Sequence, residues 1–245
     1  MLGRVSPYRA AVSQGELEAE TGVGPVSLVL GPKSTRLTVG PQVWTIADNH
    51  LVVSTQGKRK AKKRSIGLGE ARLYVARAWP TNEVSLWLER KPGVVQRMLG
   101  LPPMPGMNEN AVKAWRDLER LATKLQDALI GYGAGARAFE LGNGQHRVFA
   151  LRYPNKLIVY ARKVFREKPR RIIELREDGS LALPGRQRDR VIPMDKGMEV
   201  IASGDRISFC HPDGEHVAGV FLPWIGDADR VELTRRFQAL IAPLR

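Results

Sequence analysis

The chain has 245 residues, which is enough for one large domain or for two small ones with separate cores. Hydrophobic residues make up 43% and charged residues 26% of the sequence, a balance that excludes a chain disordered throughout. Lysine and arginine (39) outnumber aspartate and glutamate (25), and the formal charge is +14. This excess predicts attraction to nucleic acid, to anionic lipid headgroups or to acidic protein surfaces.

Cysteine content and hydropathy further limit the class of protein to which the chain can belong. The only cysteine, Cys210, excludes an intrachain disulfide and a cysteine-rich metal site. The first twenty residues lack the apolar segment of a secretory signal. No uninterrupted apolar run approaches the ~20 residues that a membrane-spanning helix needs. We therefore expect a soluble, cytoplasmic protein.

The first informative element in chain order is the stretch NHLVVSTQGKRKAKKRSIGLGE at residues 49–70. An apolar run at 51–53 and a β-prone run from Ser65 flank a basic segment, which predicts a hairpin with a basic turn. A run between two strands that must pair is a poor candidate for a targeting tag. The candidate anion-binding residues of this hairpin are Lys58, Arg59, Lys60, Lys62, Lys63 and Arg64.

Further strands and a helix follow. Alternating patterns at 71–79 and 83–90 predict two strands around a turn at 80–82, and 91–110 is expected to be an inserted loop. An apolar stripe predicts a helix that begins at Asn108 or Asn110 and ends just before Gly131. Its stripe contains Val112, Trp115, Leu118, Leu121, Ala122, Leu125 and Leu129. The glycine-rich stretch 131–144 is expected to hold a linker and a turn.

The segment 155–177, NKLIVYARKVFREKPRRIIELRE, repeats the pattern of the first hairpin. With a gap of one residue, Asn49 aligns with Asn155 and Arg64 aligns with Arg171. Basic residues again lie between the two β-prone runs. The candidate anion-binding residues of the second hairpin are Arg162, Lys163, Arg166, Lys168, Arg170 and Arg171.

The second copy also continues into strands and one helix. Strands are predicted at 198–205, 205–211 and 215–224, and a helix with Asp227 as its cap runs through 227–245. The predicted fold is α+β and mostly β: two antiparallel meanders or barrels, each closed by a C-terminal amphipathic helix. The predicted division is an N-terminal extension at 1–20, a first domain at 21–131, a linker at 132–137 and a second domain at 138–245.

The stretch from Trp44 to Val53 and on through 64–68 resembles bacterial pleckstrin-homology-like (PH-like) domains. Those domains show a strand led by an aromatic residue, a polar turn, a Leu/Ile/Val strand, a basic segment and an Ile-x-Leu strand. In the second copy, Pro154 replaces the aspartate-bearing turn. The resemblance covers about 20–131 and 137–245. It implies tandem PH-like domains and a binding or scaffolding role, since PH-like domains are rarely enzymes.

Other chemistry-bearing motifs carry weaker signals. The stretch from Cys210 to His216 contains several residues of the types that bind metal ions. However, Pro212-Asp213-Gly214 is typical of a tight turn, and two histidines supply only part of a metal site. The glycine patterns in 131–144 lack the lysine of a phosphate-binding loop. The sequence shows no pattern that pairs a catalytic nucleophile with a general base. We expect no metal, no cofactor and no enzymatic activity.

The leading hypothesis is a non-catalytic scaffold or adaptor. Its two basic hairpins would dock on an anionic partner, either membrane headgroups or nucleic acid. Its PH-like surfaces would bind other proteins, and the chain is compatible with a homo-oligomer. The alternative is a sequence-nonspecific nucleic-acid-binding protein, and a remote alternative is a metal-dependent hydrolase around His211 and His216. A solvated turn whose charges prevent edge-to-edge strand pairing also explains such a hairpin.

Overall fold

The computed structural model describes residues 15–31, 33–56, 62–68, 71–79, 81–91, 93–106, 108–133, 137–143, 146–153, 155–161, 169–194, 197–223 and 225–241. Within these ranges the protein is mostly β, with eighteen strands and two helices, as the sequence predicts. The chain divides into two compact units. The first comprises 1–77, 81–92 and 97–136, and the second comprises 78–80, 93–96 and 137–245.

The first unit contains a six-stranded antiparallel meander in which each strand pairs with the next along the chain. Residues 15–20, placed in an extension by the sequence prediction, belong to its first strand. Two further strands fall at the predicted positions, but a third occupies the segment expected to be a loop. The strands that precede the first helix, of which β7 and β9 are only partly in the first unit, are β1 (Gly15–Thr21), β2 (Gly24–Leu30), β3 (Ser34–Val39), β4 (Gln42–Ala47), β5 (His50–Thr55), β6 (Lys62–Gly67), β7 (Arg72–Trp79), β8 (Val84–Lys91) and β9 (Val94–Leu101).

Local sequence explains the tight connections of this meander. Between β4 and β5, Asp48 and Asn49 have φ angles of 46° and 63°, and Ala47 pairs with His50. A two-residue turn with both φ angles positive follows the right-handed twist of the strands, and aspartate and asparagine tolerate it. The polar turn of the sequence analysis is therefore a tight hairpin turn that fixes the register of β4 and β5.

Helix α1 (Glu109–Gly133) closes the first unit. The side-chain Oδ1 of Asn108 accepts a hydrogen bond from the Ala111 backbone N–H at 2.8 Å, so Asn108 is the N-cap. The helix continues to Gly133 instead of ending before Gly131. Most of its predicted stripe packs into the core, but Trp115 is only half-buried and Val112 is 46% exposed. The buried helix residues in this core are Leu118, Leu121, Ala122, Leu125, Ala128 and Leu129.

The second unit begins with β10 (Arg137–Asn143), β11 (His146–Arg152), β12 (Leu157–Ala161) and β13 (Arg170–Leu175), paired in chain order. Two short strands continue this ladder: β14 (Leu181–Leu183) and β15 (Arg190–Ile192). A separate three-stranded sheet follows at the predicted positions. Its strands are β16 (Glu199–Ser203), β17 (Arg206–Cys210) and β18 (His216–Phe221).

Helix α2 (Asp227–Ile241) closes the second unit and packs its apolar stripe into that unit's core. Asp227 is the first helical residue, and its carboxylate pairs with Arg230. The Arg230 guanidinium, 7% exposed, also donates a hydrogen bond to the Leu222 carbonyl at 2.9 Å. These contacts fix the chain just before the helix. Neither helix of the described chain is long and apolar enough to cross a membrane.

Candidate anion-binding site

The first predicted basic hairpin is a pair of antiparallel strands. β5 and β6 pair from His50↔Gly67 to Thr55↔Lys62 without a register shift. The predicted basic turn therefore joins paired strands. Lys58, Arg59 and Lys60 lie outside the described residues, and Lys62 is described only as part of β6.

Lys63 and Arg64 are exposed on β6, which ends the six-stranded meander. Neither side chain has an ion-pair or hydrogen-bond partner within the described part of the chain. Adjacent strand residues point to opposite faces of a sheet. Arg64 lies opposite Val53, which packs against the core, whereas Lys63 lies opposite Ser54 on the other face. The hairpin therefore presents positive charge on both faces of β6.

Arg64 lines an open groove of about 370 Å³ together with Arg90, an exposed residue near the end of β8. Within the described residues Arg90 also lacks an ion-pair or hydrogen-bond partner. The remaining lining residues are small or apolar: Ser65, Ile66, Gly67 and Ala71. The groove therefore combines two uncompensated guanidinium groups with one hydroxyl and a glycine.

Such a groove has the chemistry of an oxyanion site. Each guanidinium carries five N–H donors in a planar fork that matches the oxygens of a phosphate or carboxylate. A serine hydroxyl adds one donor, and Gly67 leaves room for an anion to approach the backbone. Because both arginines are exposed, an anion bound between them exchanges water for charged donors without burying either cation. The groove is suited to a phosphate-bearing ligand.

The second basic hairpin has a different ladder. β12 and β13 pair from Leu157↔Leu175 to Ala161↔Arg170, again with the predicted basic segment between paired strands. The register shifts because Val159 lies opposite Ile173 while Tyr160 lies opposite Arg171. The intervening Ile172 is the extra residue of a β-bulge. Arg162, Lys163, Arg166 and Lys168 lie outside the described residues.

The bulge determines which side chains share a face. Cross-strand partners lie on the same face, and Ile158 pairs with Glu174 while Tyr160 pairs with Arg171. Residues 158 and 160 share a face, so Arg171 and Glu174 do as well. Without the extra residue, two positions three apart on a strand would point to opposite faces. The bulge therefore brings a carboxylate beside the arginine.

The Arg171 guanidinium already has partners in an ion-pair network. Its guanidinium pairs with Glu174 and donates two hydrogen bonds to Asp189, at 2.7 and 2.8 Å. Asp189 lies just before β15 and also accepts a hydrogen bond from Arg176 at 3.0 Å. Lys156 pairs with Glu174 at 2.8 Å. Of the predicted cations in the described part of this hairpin, only Arg170 is exposed.

The pKa of Glu174 reflects the same network. Burial opposes ionisation of this carboxyl, which belongs to a residue only 6% exposed. The hydrogen bonds and charges of Lys156 and Arg171 outweigh that burial and hold the pKa of Glu174 below its ordinary value. The carboxylate is therefore ionised at neutral pH and compensates the charges of Lys156 and Arg171.

Strand register changes the alignment of the two copies. Ser54 and Tyr160 are 106 residues apart, as are Leu51 and Leu157. The cross-strand partner of Ser54 is Lys63, and the cross-strand partner of Tyr160 is Arg171. Arg171 therefore occupies the position of Lys63, and the alignment of Arg64 with Arg171 was displaced by one residue. Six residues separate Thr55 from Lys62 and eight separate Ala161 from Arg170, whereas the alignment allowed only one extra residue, and this difference causes the displacement.

Sequence reasoning missed Arg90. The signal was present, because Arg90 and Lys91 follow the apolar run of β8 as two consecutive cations. Their distance in sequence from the basic hairpin concealed the relation. The pairing of β7 with β8 places Arg90 at the groove. Arg72 of β7 pairs with Glu89 of β8, so the next residue, Arg90, lies beside Ala71.

The remote metal hypothesis concerned the β17–β18 turn. Cys210 is 8% exposed and pairs across the turn with His216, which is exposed. His211 precedes the turn, and its backbone N–H donates to the Glu215 carbonyl at 2.8 Å. Among the residues that the structure describes, no group of three or more His, Cys, Asp or Glu side chains has the arrangement of a metal site.

Comparisons with known proteins add little. No family model matches the chain, and no curated protein matches it. Among solved structures, apo AztD from Citrobacter koseri is similar over 88% of this chain and 87% of that chain. The identity is 11% and the TM-score is 0.21, a likeness too weak to carry an argument.

Proposed function

We propose that the protein is a non-catalytic adaptor built from two PH-like units, and that it docks on a phosphate-bearing anionic partner through the β5–β6 hairpin. The groove between Arg64 and Arg90 is the observation that carries this proposal. Lys63 extends the positive surface to the other face of the same strand. The remaining surfaces of the two units are available for protein partners.

The order of elements supports the PH-like assignment. A PH-like unit has several strands followed by a single capping helix. The second unit has β10–β13, then β16–β18, then α2, with β14 and β15 inserted between the two sheets. In the first copy the chain order is β1 and β2, then β3–β6, then β7–β9, and α1 again comes last. The basic hairpin joins the last two strands of the meander in both units.

The availability of the cations supports the anionic partner. A lysine or arginine that approaches an anionic membrane contributes about 1 kcal/mol, and each phosphate that a cation neutralises releases counterions from nucleic acid. Both effects require side chains that are not already paired. Lys63, Arg64 and Arg90 meet this condition within the described residues, whereas Arg171 does not.

A charge-reversed variant tests the proposal. Lys63→Glu, Arg64→Glu and Arg90→Glu together should weaken binding to phosphatidylserine-containing vesicles or to duplex DNA by about tenfold or more. Sedimentation with vesicles and fluorescence anisotropy with DNA measure the two affinities across a salt titration. Vesicles of phosphatidylcholine alone provide the neutral reference.

The matched control reverses three exposed cations on α1: Arg116→Glu, Arg120→Glu and Lys124→Glu. It changes the net charge by the same amount without touching the hairpin. Equal losses in the two variants would mean that only net charge matters, and would contradict the proposal. Binding to DNA with a steep salt dependence, and none to vesicles, assigns the partner to nucleic acid. The opposite result assigns it to a membrane.

A further inference from the structure

A second open groove of the first unit is lined by β1 and α1, and also by Pro25, Val26 and Ser27 of β2, Thr38 of β3, Gly40 and Met104; it encloses about 650 Å³. Its floor is apolar and includes the buried residues Ala19, Val26 and Ala114. Its rim includes Glu18 and Glu20 of β1 as well as polar residues of α1. On the helix side the lining residues are Asn110, Lys113, Ala114 and Asp117, which recur at the spacing of one helical face.

Within the described residues, no strand pairs with the outer edge of β1; just beyond the strand, the Gly22 N–H donates a hydrogen bond to the Pro102 carbonyl at 3.0 Å. β1 is the first strand of the six-stranded meander and pairs only with β2 in the described residues. Pro25 pairs with Glu20 and has no N–H, so this pair exchanges no ladder hydrogen bonds. Hydrogen-bonded and non-hydrogen-bonded pairs alternate in an antiparallel ladder. The Glu18–Ser27 pair is two positions from the Glu20–Pro25 pair, so it is also a non-hydrogen-bonded pair. The N–H and C=O of Glu18 and Glu20 therefore point away from β2.

The side chains give the groove a charge opposite to that of the whole chain. Glu18 and Glu20 are exposed on one face of β1, and neither has an ion-pair partner within the described residues. Asp117 of α1, which forms an ion pair with Arg120 at 4.0 Å, adds a third carboxylate, and Lys113 is the one cation among the lining residues. The groove thus has a net negative charge in a protein whose formal charge is +14.

We propose that this groove binds an extended basic segment of a partner protein, which adds a strand to the outer edge of β1. The segment's backbone pairs with Glu18 and Glu20, and its alternate lysines or arginines lie beside their carboxylates. The small residues between them face Ala19 and Ala114. The site is distinct from the proposed anionic site, because β1 and β6 form opposite ends of the meander.

Charged side chains on an edge strand also protect it from unwanted pairing. That explanation and the proposal differ in what they predict for a peptide of the right pattern. The probe is a fluorescein-labelled nonapeptide that alternates lysine and valine, followed by fluorescence anisotropy. We expect saturable binding, although the protein as a whole repels cations. A peptide of the same composition with its lysines grouped at one end should bind at least fivefold more weakly.

Two variants test the site. Glu18→Gln with Glu20→Gln should weaken binding of the alternating peptide by about tenfold. The control Glu177→Gln with Glu199→Gln removes the same charge from two exposed positions of the second unit and should bind as the wild type does. Equal affinity in the Glu18/Glu20 variant and the wild type would overturn the proposal.

A backbone variant separates strand addition from simple charge attraction. Glu18→Pro removes an outward N–H without removing a bond to β2, a position where an edge strand accepts proline. It should bind the peptide about fivefold more weakly than Glu18→Gln, with both melting curves by circular dichroism close to the wild type. Equal binding by these two variants, or by the alternating and grouped peptides, would overturn strand addition. A dimer in light scattering that Glu18→Gln/Glu20→Gln abolishes would make a second copy the occupant and would overturn the partner segment.

Discussion

The β5–β6 and β12–β13 hairpins both carry basic residues, but in the described residues their equivalent cations, Lys63 and Arg171, have different electrostatic environments. Lys63 and Arg171 occupy equivalent positions, each opposite the equivalent residue of the preceding strand. Lys63 is exposed and unpaired in the described residues, whereas Arg171 is held by Glu174 and Asp189. A basic hairpin is therefore a candidate for anion binding only when its own domain leaves its cations uncompensated.

Two features of the second unit cause the difference. The bulge at Ile172 places Glu174 on the face of Arg171, and the β14–β15 segment supplies Asp189. β6 has no register shift, and Lys63 has no carboxylate partner within the described residues. This contrast supports the proposal that the first hairpin is the binding hairpin, whereas the ion pairs of Arg171 and Glu174 stabilise the second unit. Three predictions test this contrast, in decreasing order of expected effect.

The largest expected effect is on stability. Glu174→Gln should lower the free energy of unfolding by about 2–3 kcal/mol, because Arg171 and Lys156 lose the buried carboxylate that compensates them. Lys63→Met, at the equivalent of the Arg171 position, should change it by less than about 0.5 kcal/mol. Urea denaturation followed by circular dichroism measures both. A loss of the same size in the two variants would contradict the contrast.

The second prediction concerns the loss of folding stability at acidic pH. The pKa of Glu174 is lowered in the folded protein, so its contribution to stability is complete above the ordinary glutamate pKa of about 4.3. This contribution is lost as the pH falls below that value towards the lower pKa of the folded state. Wild type should therefore lose more stability than Glu174→Gln between about pH 5 and pH 3. Urea midpoints at each pH measure the difference, and parallel losses would exclude a role for this carboxyl.

The smallest effect expected is a gain in binding. Asp189→Asn frees Arg171 and Arg176 from one carboxylate, and should raise the affinity for anionic vesicles or duplex DNA by about threefold at low salt. Glu177→Gln makes the same charge change at an exposed position of the same unit and provides the control. If both variants gain equally, net charge explains the result, and the pairing of Arg171 does not limit binding.

Much of the local structure could be predicted from the sequence. The alternating runs became strands at 71–79, 83–90 and in β16–β18, and Asn108 caps α1. These features depend on neighbours one to four residues apart, which is the range that a sequence pattern reports. Segment 91–110 was misjudged because its prolines and glycines concealed β9. Val112 was assigned to the buried stripe of α1 although it lies on the exposed side of the helix.

The sequence by itself determined that two basic segments each join a pair of antiparallel strands, because turn residues and alternating apolar runs act locally. It also determined the excess of positive charge. Only the tertiary structure decided which cations stay available. Arg64 gains a second arginine from β8, and Arg171 gains carboxylates from β13 and from the residue before β15. The physical reason is that a charge is neutralised by groups close in space, and strand register decides which groups those are.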